Sequence, residues 1–470
     1  MRKSFFSIIV VMALTLACLN VHAFNSLSVI KGVWMGEMQI PNGPKLTVGL
    51  EIFKKANGKW GGNVTSMDQG NRYITVSDIS LNKQILNVKL QGGPIKIVGK
   101  VDLDLKLIDA EFKQGEHSFP LRLLSVIEID DIKRKQTPID NSKYTVKEVS
   151  YQNTFDSTWL SGTLTLPKGN NKRPAVMLIA GSGPSHRDAY HSGHRPFMLI
   201  ADYLTRKGYI VLRSDKRGVY KSSGIFNEGD VENFAKDTQA AVKFLKKHDR
   251  VISNQIYLIG HSEGSMVAAM TSLIEKVAGI ISMAGPGMST LDILMLQDQT
   301  EPRAKGASED DIQVLLEFSK NFYQVVLNET DTVTRKTKLQ SLYDNLTGLE
   351  LEIHNKWNER IGTLNVNTAS SDSFKKFLKQ DPLQSWKQVM SPVLIINGGK
   401  DSQVPAKENV EGIIKSLKIS QKNVSHKIFP NLNHMFQNAK TGSTDEYAEI
   451  EETIDFEVLE DMVKWLDKQI

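Results

Sequence analysis

From Gly32 to about Leu124, apolar and polar residues alternate in short runs: Leu46 to Phe53, Tyr73 to Ile79, Gln84 to Leu90, Ile95 to Val101, Leu103 to Leu107 and Phe119 to Leu124. Period-two alternation puts one face of each run in a core, so this stretch predicts an antiparallel β-sandwich or small barrel. Asn57-Gly58, Gly61-Gly62 and Gly92-Gly93-Pro94 read as the turns. No catalytic constellation falls here. Asp68-Gln69-Gly70 has the composition of a turn rather than of a binding loop.

The pattern changes after Glu128 to Lys143, a polar, charged stretch containing Pro138 that reads as a linker. Tyr144 to Tyr151 and Leu160 to Leu166 predict a leading hairpin. Runs that read as buried strands follow at Ala175 to Ile179, Ile210 to Ser214, Ile256 to Ile259, Gly279 to Met283, Val393 to Asn397 and Ser425 to Phe429. Helical periodicity separates them at Pro196 to Lys207, Val231 to Lys247, Glu263 to Lys276 and Ala406 to Leu417, and a last amphipathic helix carries Phe456, Leu459, Val463 and Leu466. Strands alternating with helices predict an α/β fold with a mainly parallel sheet of about eight strands. Between Met283 and Val393 there is no strand run, but Asp310 to Val326 and Thr334 to Leu346 are helical. Structureless loops of that length are rare, so a helical cap at about 287–386 is expected.

The first residues are of another kind. Arg2 and Lys3 precede the apolar run Phe5 to Cys18, and Val21-His22-Ala23 supplies the small residues of a cleavage site, so 1–23 reads as a signal peptide and the mature chain as exported, periplasmic or secreted. The run is too short for a stable membrane anchor. A competing reading acylates Cys18 as a lipoprotein, but Thr15 stands where such signals carry Leu. The resulting division is 24–127 as a β-rich accessory domain, 128–143 as linker and 144–470 as the α/β domain.

Composition narrows the function. With 40% hydrophobic and 24% charged residues the chain is an ordinary globular one, neither disordered nor a polytopic membrane protein. Loss of Arg2 and Lys3 lowers the formal charge from +5, too mild a balance to imply nucleic acid as a partner. Cys18 is the only cysteine and leaves with the leader, which removes disulfides, thiol nucleophiles and thiolate metal ligands from consideration.

Gly260-His261-Ser262-Glu263-Gly264 follows an apolar strand and opens a helix, the setting of a nucleophile elbow. Chance alone gives Gly-x-Ser-x-Gly in about one such sequence in five or six, so the strand and helix around it carry the specificity. A serine hydroxyl needs a base, and the base an orienting acid. Asp401 comes just past the strand Val393 to Asn397, in Gly398-Gly399-Lys400-Asp401. His434 comes in the loop Pro430 to His434 after the last strand. An oxyanion needs backbone donors; Glu263, directly after the nucleophile, supplies one N–H, and Ser182, in Gly181-Ser182-Gly183-Pro184, the other.

Together with Ala180 to Pro184, Asp215-Lys216-Arg217-Gly218 and Lys221-Ser222-Ser223-Gly224, these motifs resemble the α/β-hydrolase superfamily, and within it bacterial esterases of the dienelactone-hydrolase and serine-aminopeptidase type. The resemblance covers about 144–470. Ala180 replaces a histidine common before the oxyanion glycine, and Tyr220 interrupts the usual Gly-x-Gly after the arginine. The front domain resembles accessory modules found before some such hydrolases. The expected activity is hydrolysis of a small-molecule carboxylic ester through an acyl-enzyme on Ser262, without cofactor, falling at low pH as the base protonates. The same groups on the same fold cleave amides in serine peptidases, an acyltransferase would use a different acceptor, and a non-catalytic binder would use the fold as a scaffold.

Each residue also has a plainer reading. Ser262 fits a helix N-cap, Asp401 a turn and His434 a surface loop. His186, His191 and His194 could ligate zinc, but no accompanying carboxylate pattern supports a metal. Arg187 and Asp188 would brace their loop as an ion pair, Arg217 would order its turn, and Glu263 would be a solvated carboxylate at a helix start. Leu294, Met295, Phe318 and Phe322 are expected to pack between cap helices rather than line an acyl pocket.

Overall fold

The computed structural model describes residues 26–41, 43–69, 73–127, 134–140, 142–226, 229–357, 366–418 and 423–470. The leader expected over 1–23, with Cys18, lies outside the described residues, as do Gly70 and part of the expected linker. The chain divides into two compact units, Met1–Ile132 and Lys133–Ile470. Among the described residues no helix is long and apolar enough to cross a membrane.

The first unit is a closed barrel rather than a sandwich. Strands β1 (Gly32–Gln39), β2 (Lys45–Lys54), β3 (Trp60–Ser66), β4 (Tyr73–Asn82), β5 (Ile85–Leu90), β6 (Ile95–Asp102), β7 (Leu107–Gln114) and β8 (His117–Val126) each pair with the next, and β8 returns to pair antiparallel with β1. Closure leaves no unpaired edge. The alternation gives the interior: Trp34 faces Leu50, Leu50 faces Val64, and Leu86, Ile97, Ile108 and Leu123 complete the packed core. Two expectations fail here. Leu103 to Leu107 is not a strand: residues 103–106 form the turn between β6 and β7, where the Asp102 carboxylate accepts from the Leu105 N–H and Lys106 has φ +51°. Gly61-Gly62 is not a turn but lies within β3, because a Cβ on Gly62 would meet the Glu51 carbonyl oxygen at 2.5 Å. Asp68 falls in a short 3-10 turn, Met67–Gln69.

The second unit is built on an eight-stranded sheet, in the order β16-β15-β14-β13-β11-β12-β10-β9. β9 (Tyr144–Gln152) and β10 (Trp159–Pro167) form the antiparallel hairpin; β12 (Ile210–Ser214), β11 (Arg173–Ile179), β13 (Val251–His261), β14 (Gly279–Met283), β15 (Val393–Gly398) and β16 (Val424–Phe429) run parallel. Along the central strands β11, β14 and β15 both faces are covered, which explains their apolar runs. In β11, Ala175, Met177 and Ile179 enter one core, with α2 (Val231–Lys247) and α3 (Glu263–Ile274). Val176 and Leu178 enter the other, with α1 (Pro196–Arg206) and the C-terminal helix Phe456–Asp467. The chain leaves β11 for β12 on one side and returns to β13 on the other, so connections diverge above the carboxyl ends of β11 and β13. Such a reversal opens a crevice. Between β14 and β15 stands the expected helical cap, including α4 (Thr290–Ala304), α5 (Glu309–Asn328), α6 (Thr332–Asp344), α7 (Gly348–Trp357), α8 (Val366–Ala369) and α9 (Asp372–Leu378). Leu294, Phe318 and Phe322 form the cap's own core with Met295 against it, as their helical spacing implied.

Candidate active site

Ser262 stands between β13 and α3 with φ +54° and ψ −127°, a conformation that costs an L-residue of order 1–3 kcal/mol and persists only where its surroundings impose it. They do: its N–H donates to the Met283 carbonyl at 2.8 Å, and its carbonyl accepts from Ser265 N–H at 2.9 Å. The flanking glycines permit the crossing. A Cβ on Gly260 would lie 2.2 Å from the Gly264 carbonyl oxygen, and one on Gly264 would lie 2.2 Å from the Ile179 carbonyl oxygen. The N-cap reading fails, since the Ser262 side chain caps no helix N–H. Among the described residues its hydroxyl makes no hydrogen bond.

Asp401 and His434 are brought together. His434 Nδ1 lies 2.7 Å from Asp401 Oδ2, and both residues are buried. Asp401 Oδ1 accepts from the N–H groups of Gln403 at 2.9 Å and Val404 at 2.8 Å, so one oxygen does turn work while the other meets the imidazole. The two loops are stitched by backbone bonds from Gly399 N–H to the Phe429 carbonyl and from Lys400 N–H to the Leu432 carbonyl. The Asn433 side chain accepts from Met435 and Gln437 N–H, which sets the histidine's turn. His434 is therefore not a surface-loop residue. Nδ1–H donating to Asp401 leaves Nε2 as the basic nitrogen.

A residue the motif reading passed over joins the halves. His261, next to Ser262, donates its Nε2–H to the His434 carbonyl at 3.0 Å, with the two rings 4.7 Å apart. Burial, and then His434 beside it, push its imidazole down to about 3, so it stays neutral. The histidine inside Gly260 to Gly264 was visible in the sequence; only the fold shows which carbonyl it reaches.

On the other side of the turn, a Cβ on Gly181 would lie 3.0 Å from the Ser262 Cβ, so the loop bearing Ser182 abuts Ser262. Glu263 begins α3, where the first N–H groups lack intrahelical partners. Its carboxylate is not solvated as expected: it is 14% exposed and pairs with Lys216 at 3.3 Å. A cavity of about 360 Å³ opens beside it, lined by Gly183, Phe226, Phe234, Glu263, Phe377 and Gln380 among others. The cap thus contributes α9 to this cavity rather than the aromatic residues of α5. The cap also supports the turn after Asp401: Gln297 donates to the Gln403 carbonyl, Thr300 to the Ser402 carbonyl, and Glu301 accepts from Ser402 and Thr444.

The remaining expectations resolve differently. Arg187 and Asp188 do not pair with each other. Arg187 forks onto Asp215, Nη2 to Oδ2 at 2.6 Å, and reaches Glu148. Asp188 meets Arg213 at 2.6 Å. Neighbours in an irregular loop point to different partners. Burial raises the Asp188 carboxyl, but Arg213 outweighs it and holds the group well below the carboxylate range. Arg217 orders its turn by pairing with Asp156 and Asp237. Tyr220, where the family pattern has glycine, keeps φ at +47°, so the backbone retains the turn although the residue differs. Of the three histidines, His194 spends its nitrogens on Thr453 and the Tyr447 carbonyl, His186 lies against Tyr220, and no group of three metal-ligating side chains occurs among the described residues.

The sequence profile of the family described as alpha/beta hydrolase fold matches residues 174–438. Esterase EstD of Thermotoga maritima is 27% identical over 311 residues, which are 66% of this chain and 66% of that protein; the chain thus spans just under two thirds of that relative. A non-heme haloperoxidase of Rhodococcus erythropolis is 24% identical over 241 residues, 49% of this chain and 78% of that one. Among solved structures, an esterase of Pyrococcus furiosus aligns at TM-score 0.42 and 17% identity over 72% of this chain and 98% of its own. With the profile covering more than half of its length, and with this strand order, the chain belongs to the α/β-hydrolase fold family.

Proposed function

We propose that the protein is an exported serine hydrolase that cleaves carboxylic esters. The Asp401–His434 pair at 2.7 Å, tied to the strained Ser262 turn through the bond from His261 to the His434 carbonyl, is the observation that supports this most. Ser262 Oγ attacks the ester carbonyl while His434 Nε2 takes its proton. Asp401 holds the imidazole tautomer and stabilises the imidazolium. The N–H groups of Ser182 and Glu263 receive the oxyanion, the alcohol leaves with the proton from His434, and water activated by the same nitrogen releases the acid. The cavity beside Glu263 is where one half of the ester lies; its phenylalanines favour an apolar group there.

A fluorophosphonate probe tests the nucleophile: it should label the wild type and not Ser262→Ala, and labelling that persists in the variant removes Ser262. Short acyl esters set against amino-acid amides on the same pair of proteins separate esterase from peptidase. Export is checked by sequencing the amino terminus of the exported chain, which should begin at Phe24. Incorporation of labelled fatty acid that disappears in Cys18→Ala would replace the soluble exported form with a lipoprotein.

A further inference from the structure

Lys216 follows β12 with its side chain 9% exposed, yet the reaction above gives it no task. Its Nζ donates to the main-chain carbonyl of Gly181 and lies 3.3 Å from Glu263 Oε2. The rest of its surroundings are aromatic, with Nζ 4.6 Å from the centroid of Phe234 and 5.6 Å from that of Phe226. Two segments therefore converge on one ammonium. Gly181 precedes Ser182, and Glu263 follows Ser262; these carry the two main-chain N–H groups assigned above to the oxyanion.

In a planar trans peptide the C=O and N–H bonds point in opposite directions. A Gly181 carbonyl held by Lys216 therefore turns the Ser182 N–H away from the lysine, on a loop whose Gly181 already touches the nucleophile residue. Gly181, without a Cβ, leaves the first side of that peptide little restrained by its own side chain. Burial lowers the Lys216 ammonium, and the facing Glu263 carboxylate opposes this in part. The pair is neutral as a whole, which makes its action geometric rather than a long-range field.

We propose that Lys216 is a positioning residue of the oxyanion hole, fixing the 181–182 peptide through the Gly181 carbonyl and tying it to the nucleophile helix through Glu263. The proposal rests on the hydrolase reading. It is tested by kcat and KM for p-nitrophenyl acetate, and by inhibition with phenylboronic acid, whose tetrahedral serine adduct places an oxygen in the hole. Wild type, Ser262→Ala, Lys216→Met and Glu263→Gln are compared. Removing an oxyanion donor costs about 10²–10³ in rate, and a misaligned one less, so Lys216→Met should lower kcat by about 10- to 100-fold with KM within about threefold. Boronate affinity should fall in parallel with kcat/KM, and Glu263→Gln should shift both in the same direction by less. Lys216→Met with kcat within about twofold of wild type, or a loss of kcat with boronate affinity unchanged, overturns the assignment. If Lys216→Met does not fold, Glu263→Gln decides on the same two readouts, a parallel loss supporting the proposal and an unchanged kcat overturning it. Hydrolysis that survives Ser262→Ala overturns the underlying reading and the proposal with it. Ser262-dependent hydrolysis with unaffected Lys216 and Glu263 variants overturns the proposal alone.

Discussion

Asp401→Asn separates the two jobs of the acid. The Oδ1 side is fixed by two backbone donors, Gln403 and Val404 N–H, and the Oδ2 side meets His434 Nδ1. An asparagine must give its single oxygen to one side. Turned towards the histidine, it presents its NH₂ to two N–H groups, forfeiting two buried hydrogen bonds and leaving unsatisfied donors at about 1–3 kcal/mol each. It will therefore keep its oxygen on the turn and offer an N–H to Nδ1, which pushes the imidazole proton onto Nε2 and removes the base. That preference of about 2–6 kcal/mol corresponds to about 30-fold to more than 10⁴-fold at 1.36 kcal/mol per decade. With loss of the charge that stabilises the imidazolium, kcat/KM for a short acyl ester should fall by about 10³–10⁴, as in enzymes using this triad. Because the turn keeps its bonds, the thermal midpoint should move by no more than about 3 °C. The assay is initial-rate hydrolysis with a melting curve on the same preparation. An Asp401→Asn variant retaining more than about a tenth of the wild-type rate would refute the role given to Asp401.

Gly264→Ala drives a Cβ into the Ile179 carbonyl and should destabilise the second unit by about 1–3 kcal/mol or more, so a variant with wild-type urea midpoint contradicts the packing described. Arg187→Met strands a fully buried Asp215 carboxylate and should cost about 3–5 kcal/mol in urea unfolding; a loss of only about 0–1 kcal/mol, the scale of a surface pair, would mean the charge is otherwise compensated. His194, pushed down to about 4 by burial and then His191, and His261, pushed down to about 3, are neutral in the fold. An unfolded imidazole titrates at about 6.5, so the unfolded chain binds protons first; the stability these groups contribute is complete above that pH and lost as pH falls towards about 4. The thermal midpoint should therefore decline over that window, with His194→Gln flattening the slope; a midpoint that rises on acidification reverses the sign.

The parallel sheet was legible because strands covered on both faces leave apolar runs, and β11, β12, β14 and β15 each coincide closely with one, whereas β13 begins five residues before its run and β16, at the sheet edge, is polar and half exposed. The pairing of Asp401 with His434 could be anticipated because each lies just beyond the carboxyl end of a strand expected in the parallel sheet. The barrel was harder. β3 carries two glycines and buried Asn63 and Thr65, so its alternation is masked, while 103–106 imitates a strand by placing leucines at 103 and 105 about a tight turn. Contacts reaching across the chain left no local trace: Lys216 at Gly181, His261 at the His434 carbonyl, and Glu301 at the acid's turn depend on loops separated by whole elements. Spacing cannot encode such meetings.

The hold of α4 on the turn after Asp401 bears on how this scaffold can be recombined. A chimera joined just after β14 would exchange Gln297, Thr300 and Glu301 along with the rest of the cap, and would remove the buttress of the acid together with the roof of the pocket. A junction placed after Ala304 keeps that buttress and exchanges the later helices, of which α9 lines the cavity beside Glu263. On the proposed reading, the wall of the cavity and the support of the Asp401 turn are divisible at one helix boundary.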